Sequence, residues 1–214
     1  LSIVPRRRTE LLGRLHLLWG RDHLEDEVAG VRLRRFASAS VPPNAAAIPK
    51  WVEAVADALK LEGRETVLDT ACEEGFMAVA LARRGARVIG IAPDRTAMHR
   101  AWDTAAQNEV TTCVFYTRAP EGVIEKLQAR GERFEAALLS SREGPTSRRL
   151  FDLLVRSGVR RLAITGSSLP LLAADLRTAA EAGYQLKAVY PVDLLPQTSR
   201  IHCVASLVHQ ASST

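Results

Sequence analysis

The chain has 214 residues, 47% hydrophobic and 25% charged, enough to bury a sizeable core in one domain of upper-middle size. That balance excludes disorder, collagen-like repeats and a disulfide-stapled scaffold, and no apolar stretch approaches the ~20 residues needed to cross a bilayer. The 29 Lys and Arg outweigh the 24 Asp and Glu by a formal +5, and Arg far outnumbers Lys; this suits a phosphate-bearing partner without demanding one. Cys72, Cys113 and Cys203 form no C-x-x-C knuckle, which points to a reducing, intracellular compartment, mitochondrial or cytoplasmic. The chain opens at Leu1, and Arg6-Arg7-Arg8 matches the remnant of an Arg-rich targeting segment.

Between Leu11 and Phe36, Leu15, Leu17 and Trp19 alternate before a Gly20-Arg21-Asp22 turn, and Val31 and Leu33 follow Gly30. A hairpin layer is expected, with residues 1–44 as an N-terminal segment and 45–214 as the main domain. Pro42-Pro43-Asn44 then punctuates the chain, and Ile48, Val52, Val55, Ala56 and Leu59 recur at helical spacing up to Gly63. From there strands at Thr66–Asp69, Arg87–Ile91, Cys113–Tyr116, Ala136–Leu139 and Arg161–Thr165 alternate with helices over Ala78–Arg84, Thr96–Gln107, Val123–Ala129, Ser147–Ser157 and Leu169–Ala182. Such alternation predicts a parallel sheet covered by helices on both faces. Gln185–Tyr190 and Ile201–Val208 then follow each other with no helix between, so the last strand is expected to run antiparallel. The expected fold is α/β, the Rossmann-like seven-stranded sheet of class I S-adenosylmethionine (SAM) dependent methyltransferases.

Three segments resemble one family. Asp69-Thr70-Ala71-Cys72-Glu73-Glu74-Gly75 resembles the D-x-x-C-G-x-G loop of the tRNA/rRNA (uracil-5-)-methyltransferases, with Glu73 in place of the first glycine. Gly183-Tyr184 and Pro191-Val192-Asp193-Leu194-Leu195-Pro196-Gln197-Thr198-Ser199-Arg200-Ile201-His202-Cys203-Val204 resemble its G-Y … D-M-F-P-x-T-x-H-V-E-C-V segment. Trp19-Gly20-Arg21-Asp22-His23-Leu24 is similar to the hairpin that precedes its catalytic domain. The resemblance implies a divergent relative without the RNA-binding barrel and iron–sulfur cysteines of many members. It implies cofactor contacts at Asp69, Cys72, Gly75 and, displaced by two residues from Ala92, Asp94. A dinucleotide-binding oxidoreductase would also fit the rhythm, but no G-x-G-x-x-G follows Asp69.

The family's chemistry needs a thiolate that adds to C6 of uracil and a base that removes the C5 proton. Its S-C-[ND]-P turn falls on Thr165-Gly166-Ser167-Ser168, so Gly166 or Ser167 stands where the thiol belongs, and His202 where the carboxylate base belongs, with Arg200 at the preceding His. The ribose-binding acid reads Ala92, the D-P-P-R-x-G loop reads Leu139-Ser140-Ser141-Arg142-Glu143-Gly144, and F-F-Q-x-N reads Ser40-Val41-Pro42-Pro43-Asn44. Two expectations follow. One is a pseudoenzyme that lacks a cofactor, binding SAM more weakly than about millimolar because Glu73 repels its carboxylate, and that contacts rRNA or tRNA and ribonucleoprotein subunits, as in a ribosome. The other is an active SAM-dependent RNA methyltransferase that works without a thiol. Arg142, Arg148, Arg149 and Arg200 are the expected RNA or partner contacts. Cys72, Cys113 and Cys203 are expected to be packed rather than reactive, Arg148-Arg149 and Arg160-Arg161 are more readily read as solvated helix ends than as RNA contacts, and no histidines stand at metal-ligand spacing.

Overall fold

The computed structural model describes residues 17–36, 44–141 and 144–210 and contains two sheets. The first is an antiparallel ribbon of β1 (His23–Val28) and β2 (Val31–Phe36), turning at Ala29-Gly30 with positive φ at both residues. This corrects the turn expected at Gly20-Arg21-Asp22: Trp19 lies before β1 and is 92% exposed. The first strand is His-Leu-Glu-Asp-Glu-Val, whose solvent face pairs Glu25 with Arg34 and Glu27 with Arg32, leaving Val28 and Val31 beside the turn as its buried anchor.

A 3₁₀ turn (Ala45–Ala47) leads into α1 (Ile48–Leu59), whose buried stripe is the predicted one and which stops at Lys60, in left-handed conformation. The chain continues through β3 (Thr66–Asp69), α2 (Phe76–Ala82), β4 (Arg87–Ala92), α3 (Arg95–Gln107), β5 (Cys113–Thr117), α4 (Pro120–Gln128), β6 (Ala136–Ser140), α5 (Arg148–Arg156), β7 (Arg161–Gly166), α6 (Leu169–Glu181), β8 (Tyr184–Val192) and β9 (His202–His209). The sheet order is β5-β4-β3-β6-β7-β9-β8, with β3 to β7 parallel and β9 antiparallel to both its neighbours, the expected fold. Helices α1 to α3 cover one face and share its core with Val28 and Val31; α4 to α6 cover the other. Asn108 at the end of α3 holds the ribbon as a neighbouring strand would: Oδ1 accepts from the Arg32 amide at 2.9 Å and Nδ2 donates to the Arg32 carbonyl at 2.6 Å. On the outer strand β8 the register slips between Leu186 and Ala188, leaving Lys187 outside the ladder.

β3 pairs with β4 on one side and β6 on the other, so the connections leave this seam in opposite directions and open a crevice beyond the strand C-termini. At the other end of the strands, Glu65 is the clasp. It accepts from the amides of Glu62, Gly63 and Arg64 at 2.9–3.0 Å and pairs with Arg161 at 3.2 Å. Arg161 is therefore an internal tie, and not the solvated end its sequence context suggested. Burial works to raise the Glu65 carboxyl, but the surrounding amides outweigh it and hold it at about 2. A carboxyl depressed in the folded state stabilises above its unfolded pKa and loses that contribution as pH falls toward the folded value. Glu65→Gln is thus expected to lower stability at pH 7 by about 1–2 kcal/mol, allowing for solvent screening. Denaturant midpoints should show the gap to the unaltered protein closing as pH falls from about 4.5 toward 2.

Candidate functional site

The loop after β3 is built around Asp69, 2% exposed at the strand's C-terminus. Its Oδ1 accepts from the Ala71 amide at 3.2 Å, while Oδ2 is buried with no hydrogen-bond partner among the described residues. Asp69 therefore shapes its own loop and does not cap α2, whose N-cap is Gly75. Burial pushes its pKa up to about 7, and the nearby Glu73 carboxylate pushes the same way against the Ala71 amide. A buried carboxyl oxygen without a donor, at the crevice beside the β3–β6 seam, is suited to a cationic or hydrogen-donating ligand group.

Each other residue of the loop also has a structural duty. Glu73, at the family's glycine position, has φ 50°, a conformation that glycine adopts without strain. Glu74 pairs with Arg100 of α3 at 2.5 Å, and Thr104 donates to the Glu74 carbonyl at 2.9 Å, which fastens the loop to α3. Gly75, at φ 83°, is required by α3: a Cβ there would stand 2.9 Å from Ala101 Cα. Cys72 points away from the crevice, under β4, where a Cβ on Gly90 would meet its Sγ at 2.9 Å. Burial raises the pKa of all three thiols, that of Cys113 to about 12, as expected for packed cysteines. Ala92 ends β4 as a buried methyl group, and Asp94 is the N-cap of α3, with Oδ1 accepting from Ala97 N at 2.8 Å.

At the nucleophile position a side chain at Gly166 is excluded, since its Cβ would lie 2.8 Å from the Ser141 carbonyl oxygen. Ser141 is itself held there, its hydroxyl donating to Asp175 of α6, a fully buried carboxylate that also accepts from the Thr146 amide at 2.6 Å. Ser167 is half-buried beside it. His202, at the base position, shares a 2.6 Å hydrogen bond between Nε2 and Thr165 Oγ1, which also accepts from Trp51 Nε1 at 3.2 Å. Trp51 meets the His202 ring edge-on at 5.3 Å and stacks on Phe76, next to the Asp69 loop, at 6.3 Å. The Asn44 amide donates to the Asp193 carbonyl at 2.7 Å, bringing the segment before α1 to the loop before β9.

Trp51 and Asp175 escaped the sequence reading, and Thr165 and Ser141 entered it only as positions in degenerate motifs. The one available signal was Trp51, a large aromatic early on an amphipathic helix.

Of the expected RNA contacts, Arg142 lies outside the described residues. Arg148 is committed to Asp152 at 2.8 Å and Arg149 to Glu125 at 2.6 Å, both pairs exposed; Arg200 is exposed in the loop before β9. No group of three or more His, Cys, Asp or Glu among the described residues is placed to hold a metal ion.

The sheet order and the seam loop define a class I SAM-methyltransferase fold. No family model matches the chain. An uncharacterized RNA methyltransferase of Listeria innocua is 27% identical over 207 residues, 96% of this chain and 46% of that protein. The crystal structure of Pyrococcus abyssi tRNA (uracil-54, C5)-methyltransferase with S-adenosyl-L-homocysteine superposes at a TM-score of 0.80, with 18% identity over 97% of this chain and 50% of that one. M. jannaschii TYW2 in complex with AdoMet gives 0.62, with 13% identity over 91% of this chain and 90% of that one. The chain is thus similar over most of its length to proteins named as RNA methyltransferases, and it spans less than half the length of the curated relatives it matches.

Asp69 supplies a prediction of its own. A carboxyl raised in the folded state costs nothing below its unfolded pKa, and its penalty grows as pH rises from about 4 to about 7. Asp69→Asn, which keeps an acceptor for Ala71, should be more stable than the unaltered protein by about 1–3 kcal/mol at pH 8, the advantage vanishing near pH 4. Thermal melts across that range read it directly.

Proposed function

We propose that the chain is the methyltransferase-fold part of an RNA-modifying protein that uses SAM without a covalent thiol, acting on a nitrogen or oxygen of RNA. The observation that carries this reading is the closure of the nucleophile position. Gly166 admits no side chain and burial keeps the cysteine thiols protonated, so no thiolate is available to add to a pyrimidine ring. A heteroatom already holds the lone pair it needs and requires only placement and loss of a proton.

The residues fit the cofactor's methionine end better than its ribose end. Asp69 Oδ2 is a buried acceptor suited to an ammonium group, whereas Ala92 offers no acceptor and Asp94 has one oxygen committed to α3. SAM, when bound, supplies an electrophilic methyl group on a sulfonium sulfur. His202, its ring fixed by Thr165 and Trp51, accepts the proton that the RNA nucleophile gives up.

A second reading, a non-catalytic RNA or ribonucleoprotein component, is favoured by Ala92 and by the carboxylate of Glu73 at a glycine position. Calorimetric titration with SAM separates the two: a complex tighter than about millimolar supports catalysis, and its absence beside intact RNA binding supports the second reading. If SAM binds, His202→Gln should retain that affinity while methyl transfer to RNA falls about a hundredfold. Glu73→Gly with Ala92→Glu should raise SAM affinity by roughly tenfold or more, the return of one charge-assisted hydrogen bond.

A further inference from the structure

The cationic excess of the described residues lies at the edge of the sheet opposite the crevice. Lys60, Arg64, Arg84, Arg130, Arg156 and Arg160 all end or follow helices or precede strands at the strand N-termini, and all six are exposed. Among the described residues none of the six makes an ion pair, whereas their neighbours Arg87 and Arg161 are neutralised by Glu132 and Glu65. The exposed acids at that edge are Asp57, Glu62, Glu109 and Glu135, the last also accepting the Thr66 amide at 2.7 Å. The loops of the crevice edge hold no such excess, with Glu73, Asp94 and Asp193 against Arg95, Arg118 and Arg200, and Glu74 neutralised by Arg100.

The six cations form one surface because the turns that bear them are bonded to each other. A Cβ on Gly85 would touch Gly63 at 2.7 Å, the Arg87 amide donates to the Glu65 carbonyl at 2.9 Å, and the Glu135 amide donates to the Thr66 carbonyl at 3.1 Å. The Arg160 amide donates in turn to the Glu135 carbonyl at 3.2 Å. The surface crosses β4, β3, β6 and β7, about 14 Å at ordinary strand spacing, and the helix ends widen it on both faces. Beside α1, Lys60 and Arg84 border a hollow of about 290 Å³.

We infer that this strand-N-terminal edge is a second RNA-binding surface, engaging the phosphate backbone while the target nucleotide enters the crevice at the opposite edge. The inference rests on the reading of RNA as the partner and adds a place and a mode of contact to it. Guanidinium forks on a fixed scaffold suit phosphate oxygens and carry no base code, so the surface gives affinity and orientation without sequence choice. The two edges are about 15–20 Å apart, so the RNA that uses both is folded or wraps the domain.

The test is titration of a labelled RNA stem-loop across a salt series. The proteins compared are the unaltered chain, a variant with all six cations changed to Ala, and Arg148→Ala/Arg149→Ala/Arg200→Ala at the crevice; circular dichroism and melting verify the folds. The six-residue variant should lose at least tenfold in affinity at low salt, and its log–log salt slope should become shallower by several units. The crevice variant should lose less. Retention of affinity and slope by the six-residue variant would overturn the second surface and leave the RNA reading standing. Should that variant fail to fold, Lys60→Ala/Arg64→Ala/Arg84→Ala and Arg130→Ala/Arg156→Ala/Arg160→Ala carry the same comparison in halves. No binding by the unaltered protein would overturn RNA as the partner altogether.

Discussion

Where β3 lies beside β6, Val67 to Asp69 run in register with Ala136 to Leu138, and the chain on either side of that seam winds away in opposite directions. The two layers of helices are a consequence, because α1 to α3 and α4 to α6 must return on opposite faces to supply the next parallel strand. The crevice is another. Thr70 ties the loop after β3 to the seam by giving both its amide and its hydroxyl to the Leu138 carbonyl. Asp69 ends its strand beside the opening, buried, with one oxygen engaged and one not.

Close approach around this seam then decides which chemistry is possible. Ser141 occupies the space that a side chain at Gly166 would need, and Asp175 keeps it there. The family's nucleophile position has therefore been absorbed into packing. Its base position has not, since Trp51, Thr165 and His202 form a connected polar and aromatic cluster at the mouth of the crevice. A crevice with no room for a side chain at Gly166 and with the His202 ring held in place fits a reaction that needs no thiol as well as it fits none.

The strand–helix rhythm was legible because buried parallel strands and amphipathic helices have different apolar periods, and Asp69 stood out at the end of such a strand. The ribbon was misread because Gly20-Arg21-Asp22 is as strong a turn signal as Ala29-Gly30, and because β1 buries Val28 alone and leaves no alternation to follow. Asp175 was invisible for a related reason: an acid among Ala, Leu and Arg on a helix looks solvated, and only the fold brings it under Ser141. The local duties of Cys72 and Asp94, a core position under Gly90 in one case and a helix cap in the other, were not visible in the motif alone.

The outer strand β8 spans nine residues and exposes Leu186, Val189 and Tyr190 at the border of the sheet, a length and composition that would invite another chain to add a strand. Lys187 stands at the break in that strand's ladder, and Pro191 brings no amide hydrogen to its end. An incoming strand would have to follow an interrupted hydrogen-bonding track and desolvate an ammonium group within it. The bulge at Lys187 is in this sense a guard against fibrous association at an open sheet border.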